Sequence, residues 1–303
     1  MNETTVTAPT TDPAAPDAQA ALPAVAMRHV TKMYGANAAL RDVSLEVAAG
    51  SVCGLIGPNG AGKSTMMAII ATLLRPSAGE VEVFGTSIGS PREIRKLIGY
   101  VPDVLGTYSG LTVEEYLLFF ADAYQVAPEK RVGLVDGLLE LVDLGNKRDA
   151  DVNTLSRGMK QRIGLARSLV HDPRLLILDE PASGLDPRAR IELRDIVAQL
   201  NTLGVTILIS SHILVELEEM CTDFLVLEQG VLVGAESLAE TEVRTVIVTF
   251  LDGEPESFQV SSQQEQAELV RSLVLAERQV VAVTAETTRL EDRFMRLSSG
   301  RTN

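Results

Sequence analysis

The 303-residue chain holds only two cysteines, Cys53 and Cys221. Cys53 lies in the apolar run SVCGLIG and Cys221 in EEMCTDF. Two such thiols make no disulfide framework and no metal pair; they read as small buried hydrophobes, which fits a reducing cytosol. Long apolar runs are missing too. No stretch reaches ~18 uninterrupted apolar residues, so no membrane-spanning helix is expected. The N-terminus lacks both a basic start and an apolar h-region, and is not a secretory signal. Rich in Ala, Pro and Thr, residues 1–24 are expected to form a disordered tail. Basic charge is scarce: 27 Lys and Arg against 41 Asp and Glu leave a net charge of -14. Such a chain offers no broad basic face to nucleic acid.

What is present is an alternation of short apolar strands with helical patterns. AVAMRHVTKMY, VSLEVA, SVCGLIG and VEVFG read as strands, and Lys63–Leu74 as a helix. The segment from Thr112 to Arg167 reads as mostly helical. LLILDEP is a buried strand, Pro187–Leu203 a helix, VTILIS a strand and His212–Met220 a helix, with DFLVLEQG and VLVGA as a hairpin. Buried strands between helices predict an α/β fold with a parallel, helix-covered sheet. After Glu236 the texture changes. VRTVIVTFLDG and SFQV read as paired strands, EQAELVRSLVLAE as a helix, QVVAVTA as a strand and LEDRFMRL as a closing helix, a small α+β domain over residues 240–303.

Two motifs carry chemistry. GPNGAGKST comprises Gly57, Pro58, Asn59, Gly60, Ala61, Gly62, Lys63, Ser64 and Thr65, and sits between a strand and a helix. Glycines there let backbone N–H groups ring a β-phosphate, and the helix start adds positive potential. Lys63 can reach the β- and γ-phosphates, and the Ser64 hydroxyl can ligate Mg²⁺. LLILDE ends a buried strand with Asp179, a Mg²⁺ ligand candidate, and Glu180, a candidate general base.

With these in place, LSRGMKQRIGLARSLVHDPRLLILDEPASGLDP, Leu155 to Pro187, resembles the signature region of the ATP-binding cassette (ABC) ATPases. The likeness covers residues 25–235 and implies an α/β phosphate-loop core, a mixed but mainly parallel sheet covered by helices, with a helical subdomain over residues 105–167. It implies that Tyr34 stacks on adenine and that Ser156 and Gly158 face the γ-phosphate bound in a second subunit. Asp186 would cross the dimer interface, and His212 would contact the γ-phosphate and hold the catalytic geometry with Lys63 and Glu180. The chain departs from the pattern at Arg157, where the family often has glycine, and at Met159, where it often has glutamine.

IGYVPD, Ile98 to Asp103, reads as a strand ending in a turn, because Pro102 cannot continue a helix and restricts Val101. The family usually has a glutamine where Asp103 stands. Ionised aspartate only accepts hydrogen bonds, yet it remains an oxygen ligand for Mg²⁺ and adds negative charge beside Glu180.

The resemblance implies an ATP- and Mg²⁺-dependent ATPase subunit of a transporter, a homodimer or heterodimer closing around two ATP. It would drive a separate integral membrane permease from the inner, cytoplasmic face of the membrane. The single cassette, the VPD and LSRGM variants and the small tail resemble a prokaryotic subgroup that exports drugs, antibiotics or cell-surface compounds. Import of a small solute, and a soluble ATPase acting on ribosomes or DNA, are the alternatives. The second is opposed by the single cassette, the short insert and the acidic charge.

Overall fold

The structure is a computed structural model that describes residues 22–104, 106, 110–237, 244–251 and 253–286. Strands β1 (Val25–Tyr34) and β2 (Asn37–Val47) form a hairpin, and β3 (Val52–Ile56) leads into helix α1 (Lys63–Ile70). Then come β4 (Ala78–Val83), β5 (Thr86–Ser87), α2 (Pro91–Leu97) and β6 (Ile98–Val101), followed by helices α3 (Val113–Ala123), α4 (Pro128–Leu141) and α5 (Arg157–Leu169). Next are β7 (Leu175–Leu178), α6 (Pro187–Thr202), β8 (Thr206–Ser211), α7 (Leu214–Glu218), and the hairpin of β9 (Asp223–Glu228) and β10 (Val231–Ser237). The last described elements are β11 (Arg244–Phe250), β12 (Glu256–Val260), α8 (Gln263–Leu275) and β13 (Val280–Glu286).

The strands sort by hydrophobic texture. β3, β7 and β8 are buried along their whole length. They sit inside a mainly parallel sheet of order β10-β9-β3-β8-β7-β6, whose β9–β10 edge is antiparallel. β2 instead alternates buried and exposed positions, as a strand with one wet face does. With β1, β4 and β5 it makes a separate antiparallel sheet of order β2-β1-β4-β5. The parallel-sheet reading thus holds for the central strands, and the first strands go elsewhere.

Successive side chains of the central strands feed two cores, as the pleat requires. Val52, Ile56, Leu176, Leu178, Ile207 and Ile209 pack with the helices α3 to α6. Cys53, Leu55, Leu175, Ile177 and Leu208 pack with α1 and the antiparallel sheet. The insert helices are anchored from inside: Val113, Tyr116, Leu117 and Ala121 of α3 are fully buried. The start of α3 is fixed by a capping box, in which Thr112 Oγ1 accepts from Glu115 N–H and Glu115 accepts from Thr112 N–H.

Some boundaries move. Ala24, assigned to the tail, is buried and its N–H donates to Val47 O at 2.8 Å; residues 1–21 lie outside the described residues. α1 stops at Ile70, well before Leu74, because Thr72 takes φ 60° and the N–H groups of Leu73 and Leu74 both turn back to Ala68 O. His212 stands before α7, since Ser211 Oγ accepts from Ile213 N–H and turns the chain there. β11 pairs with β12, as the sequence predicts, and also with β13, around a small core of Val246, Val248, Phe250 and Val260. LEDRFMRL lies outside the described residues.

Candidate active site

Every residue drawn from the two chemical motifs falls on one edge of the parallel sheet. Ile56 of β3 pairs with Ser211 of β8, Ile209 of β8 with Leu178 of β7, and Leu178 with Val101 of β6. The residues that follow these strands, Gly57, His212, Asp179 and, two places past β6, Asp103, therefore leave the sheet at the same end. Neighbouring strands lie about 4.8 Å apart, and the carboxyl edge of such a sheet is where α/β folds place ligands.

The phosphate loop needs its glycines here. Gly62 takes φ 108°, and a Cβ on it would stand 2.5 Å from Ala39 O; on Gly57 a Cβ would stand 2.2 Å from Leu227 O. Gly62 caps α1 without a side-chain acceptor. The first-turn N–H groups of α1 are thus left for an anion. Lys63, only 6% exposed, folds back so that Nζ donates to Gly57 O at 2.7 Å.

The acids complete the edge. Asp179, 4% exposed, accepts at Oδ1 from Ser210 Oγ at 2.8 Å and from Ser64 Oγ at 3.2 Å. Glu180 sits at φ 49°, a costly region for a residue with a Cβ. Its N–H donates to Ser210 Oγ at 2.9 Å, which holds the turn. The side chain places Oε1 3.2 Å from Lys63 Nζ and Oε2 2.7 Å from His212 Nδ1. A carboxylate only accepts, so Nδ1–H of His212 donates, leaving Nε2 directed elsewhere. Ser210 is the residue that motif reading passed over. A hydroxyl ending an apolar strand, one step before Ser211–His212, was the available signal. A second network was also missed: Ser211 Oγ donates to Glu216, which faces Arg190 of α6 at 3.1 Å.

Tyr34, Ser156, Gly158 and Asp186 stand outside this cluster. Tyr34 is half exposed at the tip of the β1–β2 hairpin, with Lys32 Nζ 5.2 Å from its ring centre; Ala39 of the same hairpin abuts Gly62. Asp103 is exposed beyond β6. Burial, with Asp179 and then Asp103 adding negative charge, pushes the Tyr100 phenol up to about 12. Ser156 and Asp186 are both exposed N-caps, accepting from Met159 N–H at 3.3 Å and Ala189 N–H at 2.9 Å. A Cβ on Gly158 would stand 3.3 Å from Ala189 Cβ, so the starts of α5 and α6 lie side by side. Thr65, Pro58, Asn59 and Gly60 belong to the loop and first turn, with Asn59 and Gly60 exposed and Ala61 buried.

Among the described residues, no three His, Cys, Asp or Glu side chains gather as a metal cage. The donors present, Ser64 Oγ and Asp179 Oδ1, are hard oxygens 3.2 Å apart. That pair fits Mg²⁺, which takes one or two protein oxygens and completes its shell with phosphate and water.

The family model described as ABC transporter matches residues 40–183. The Nod factor export ATP-binding protein I of Rhizobium meliloti (strain 1021) is 42% identical over 208 residues, 68% of this chain and 62% of that protein. The chain thus spans less than two thirds of that relative's length. A protein of the same description from Burkholderia orbicola (strain AU 1054) is 38% identical over 232 residues, 75% of this chain and 76% of that protein. A solved dimeric ATP-binding cassette in a post-hydrolysis state, bound to ADP and Pi, superposes with a TM-score of 0.65 at 27% identity, covering 71% of this chain and 98% of that one.

Proposed function

The chain belongs to the ABC transporter family as an ATP-binding subunit, and from that premise we propose that it hydrolyses ATP at the described sheet edge to drive export through a separate permease. The observation that carries this reading is the shared carboxylate of Glu180, with Lys63 on one oxygen and His212 on the other, beside the Ser64–Asp179 pair.

The roles follow from chemistry. The loop N–H groups and Lys63 take the β- and γ-phosphates, and Tyr34 stacks on the base. Ser64 and Asp179 would hold Mg²⁺, which supplies charge neutralisation at the phosphates when bound; Asp103 would add an oxygen to its surroundings. Glu180 accepts the proton of the attacking water as the water oxygen bonds to the γ-phosphorus. The bond from that phosphorus to the β–γ bridging oxygen breaks, giving ADP and inorganic phosphate. His212 holds the carboxylate in place. Ser156, Gly158 and Asp186 act on nucleotide held by a second subunit; the dimeric arrangement of the solved cassette similar to this chain supports that division.

Export is supported by relatives named for Nod factor export. No helix among the described residues is long and apolar enough to cross a membrane, so a permease would be a separate chain, met at the cytoplasmic face. A cavity of about 240 Å³ between the sheet and the helical insert, lined by Leu73, Tyr100, Phe120, Tyr124, Arg167 and His171, is where it would dock. The His171 ring stacks on Tyr124 at 4.0 Å there, and burial lowers its imidazole below the usual range.

Glu180→Gln tests the reading. The carboxamide keeps the size but removes the base, so turnover falls roughly 10²–10⁴-fold while ATP still binds. The trapped protein runs as an ATP-dependent dimer and co-purifies from membranes with an integral membrane protein. Near wild-type steady-state ATPase in that variant overturns the assignment.

A further inference from the structure

Arg157 breaks the family pattern and is unused by the reaction just described. It is the first residue of α5, immediately after the Ser156 cap. A cation there opposes the helix dipole, so it does not serve the helix. It makes no ion pair among the described residues. Its partner is a surface without a side chain. A Cβ built on Gly184 would stand 2.8 Å from Arg157 Cζ, 2.8 Å from Nη1 and 3.1 Å from Nε. Three guanidinium atoms nearly equidistant from one point mean that the group lies face-on, flat over Gly184.

Gly184 belongs to the short link between the two halves of the candidate site. Behind it, Ser183 N–H donates to Glu180 O at 3.1 Å; after it, Leu185 N–H donates to Ala182 O at 3.2 Å and Asp186 caps α6. The link is therefore tied to Glu180 at one end and to Asp186 at the other. Arg157 lies across its middle and is bonded to Ser156 through one peptide.

We propose that Arg157 is a positioning residue: its flat guanidinium seats on Gly184 and holds the Glu180–Asp186 link in fixed register with Ser156. This rests on the proposed ATPase reading for its effect on turnover, but not for the contact itself. The planar face is the working part. Lysine carries the same charge as a compact, hydrated ammonium and cannot lie flat. A methyl on Gly184 would take the space of the guanidinium, which, at the end of a flexible chain, is displaced first; φ 68° at Gly184 adds strain of its own.

The test uses the full chain with Arg157→Ala, Arg157→Lys, Gly184→Ala and the Arg157→Ala/Gly184→Ala double variant. Arg157→Ala should lower turnover about 3–10-fold with an unchanged KM for ATP, because ATP first binds the phosphate loop, and Arg157→Lys should not restore it. The double variant should lose at least ~3-fold less than the product of the single losses, as coupled neighbours do. Amide hydrogen exchange at Ser183 and Leu185, measured without nucleotide, should quicken in Arg157→Ala. Wild-type turnover in Arg157→Ala, full rescue by lysine, multiplicative losses or unchanged exchange each overturn the proposal. If the wild type hydrolyses no ATP yet exchange still quickens, the ATPase reading fails and the contact stands.

Discussion

The two halves of the candidate site are built on different principles. Around the phosphate loop, Lys63 and Asp179 are buried and every charged group has a partner within the chain: Lys63 with Glu180, Glu180 with His212, Asp179 with Ser64 and Ser210. On the other half, Ser156 and Asp186 are exposed, and among the described residues the side chain of each makes the cap bond of its own helix and no other. The first half is wired for chemistry within one chain. The second has its helix starts at the surface, where, in the function proposed above, they would meet an anion held by a second subunit.

Three substitutions press on that contrast. The largest effect belongs to Lys63→Ala, which strips the buried half of its cation and leaves Glu180 uncompensated. Truncating one member of a buried charge pair costs about 2–5 kcal/mol, so ATP affinity measured by titration should fall about 30-fold or more. An unchanged dissociation constant removes the loop from the mechanism. Next is Ser156→Ala. It costs ~1 kcal/mol of stability through the lost cap, and turnover drops roughly 10-fold, as loss of a hydrogen bond to a charged group implies. ATP affinity of the isolated chain stays put; if affinity and turnover fall together, the two halves are not separate. The smallest effect is expected at Asp103→Gln, which trades an exposed carboxylate for a neutral amide. The Mg²⁺ concentration for half-maximal ATPase should rise about 2–5-fold, the scale of ~0.4–1 kcal/mol. Superimposable Mg²⁺ titrations exclude Asp103 from the metal's surroundings.

The same contrast explains what could be read ahead of the structure. Each motif is contiguous in itself, so Lys63 and Ser64 were legible from a strand, a glycine turn and a helix start, and Asp179 and Glu180 from the end of an apolar strand, although Ser64 and Asp179 lie 115 positions apart. His212 was legible only through the resemblance, because its partner Glu180 lies 32 positions away. Ser210 was visible only as a hydroxyl near the end of an apolar strand, and its role was not legible. Its hydroxyl bridges Asp179 and the Glu180 N–H across the β7–β8 pairing, and that register is set by the apolar faces rather than by the serine. Arg157 was visible as an oddity, but its seat on Gly184 depends on α5 and α6 starting side by side, which no local pattern encodes. In the fold, the continuous apolar runs of β3, β7 and β8 announced a buried parallel sheet. The alternation in β2 held the clue to a separate antiparallel sheet, and the order of its strands comes only from long-range pairing.

The parallel register has a practical side. All the reactive groups lie beyond one end of β8, so the other end is free of them. Leu203, 72% exposed, sits at that far end, just before the six-residue strand Thr206–Ser211. At about 3.3 Å per residue the strand sets it about 20 Å from the chemistry. A fluorophore attached there would follow the subunit through its cycle without entering the site it reports on.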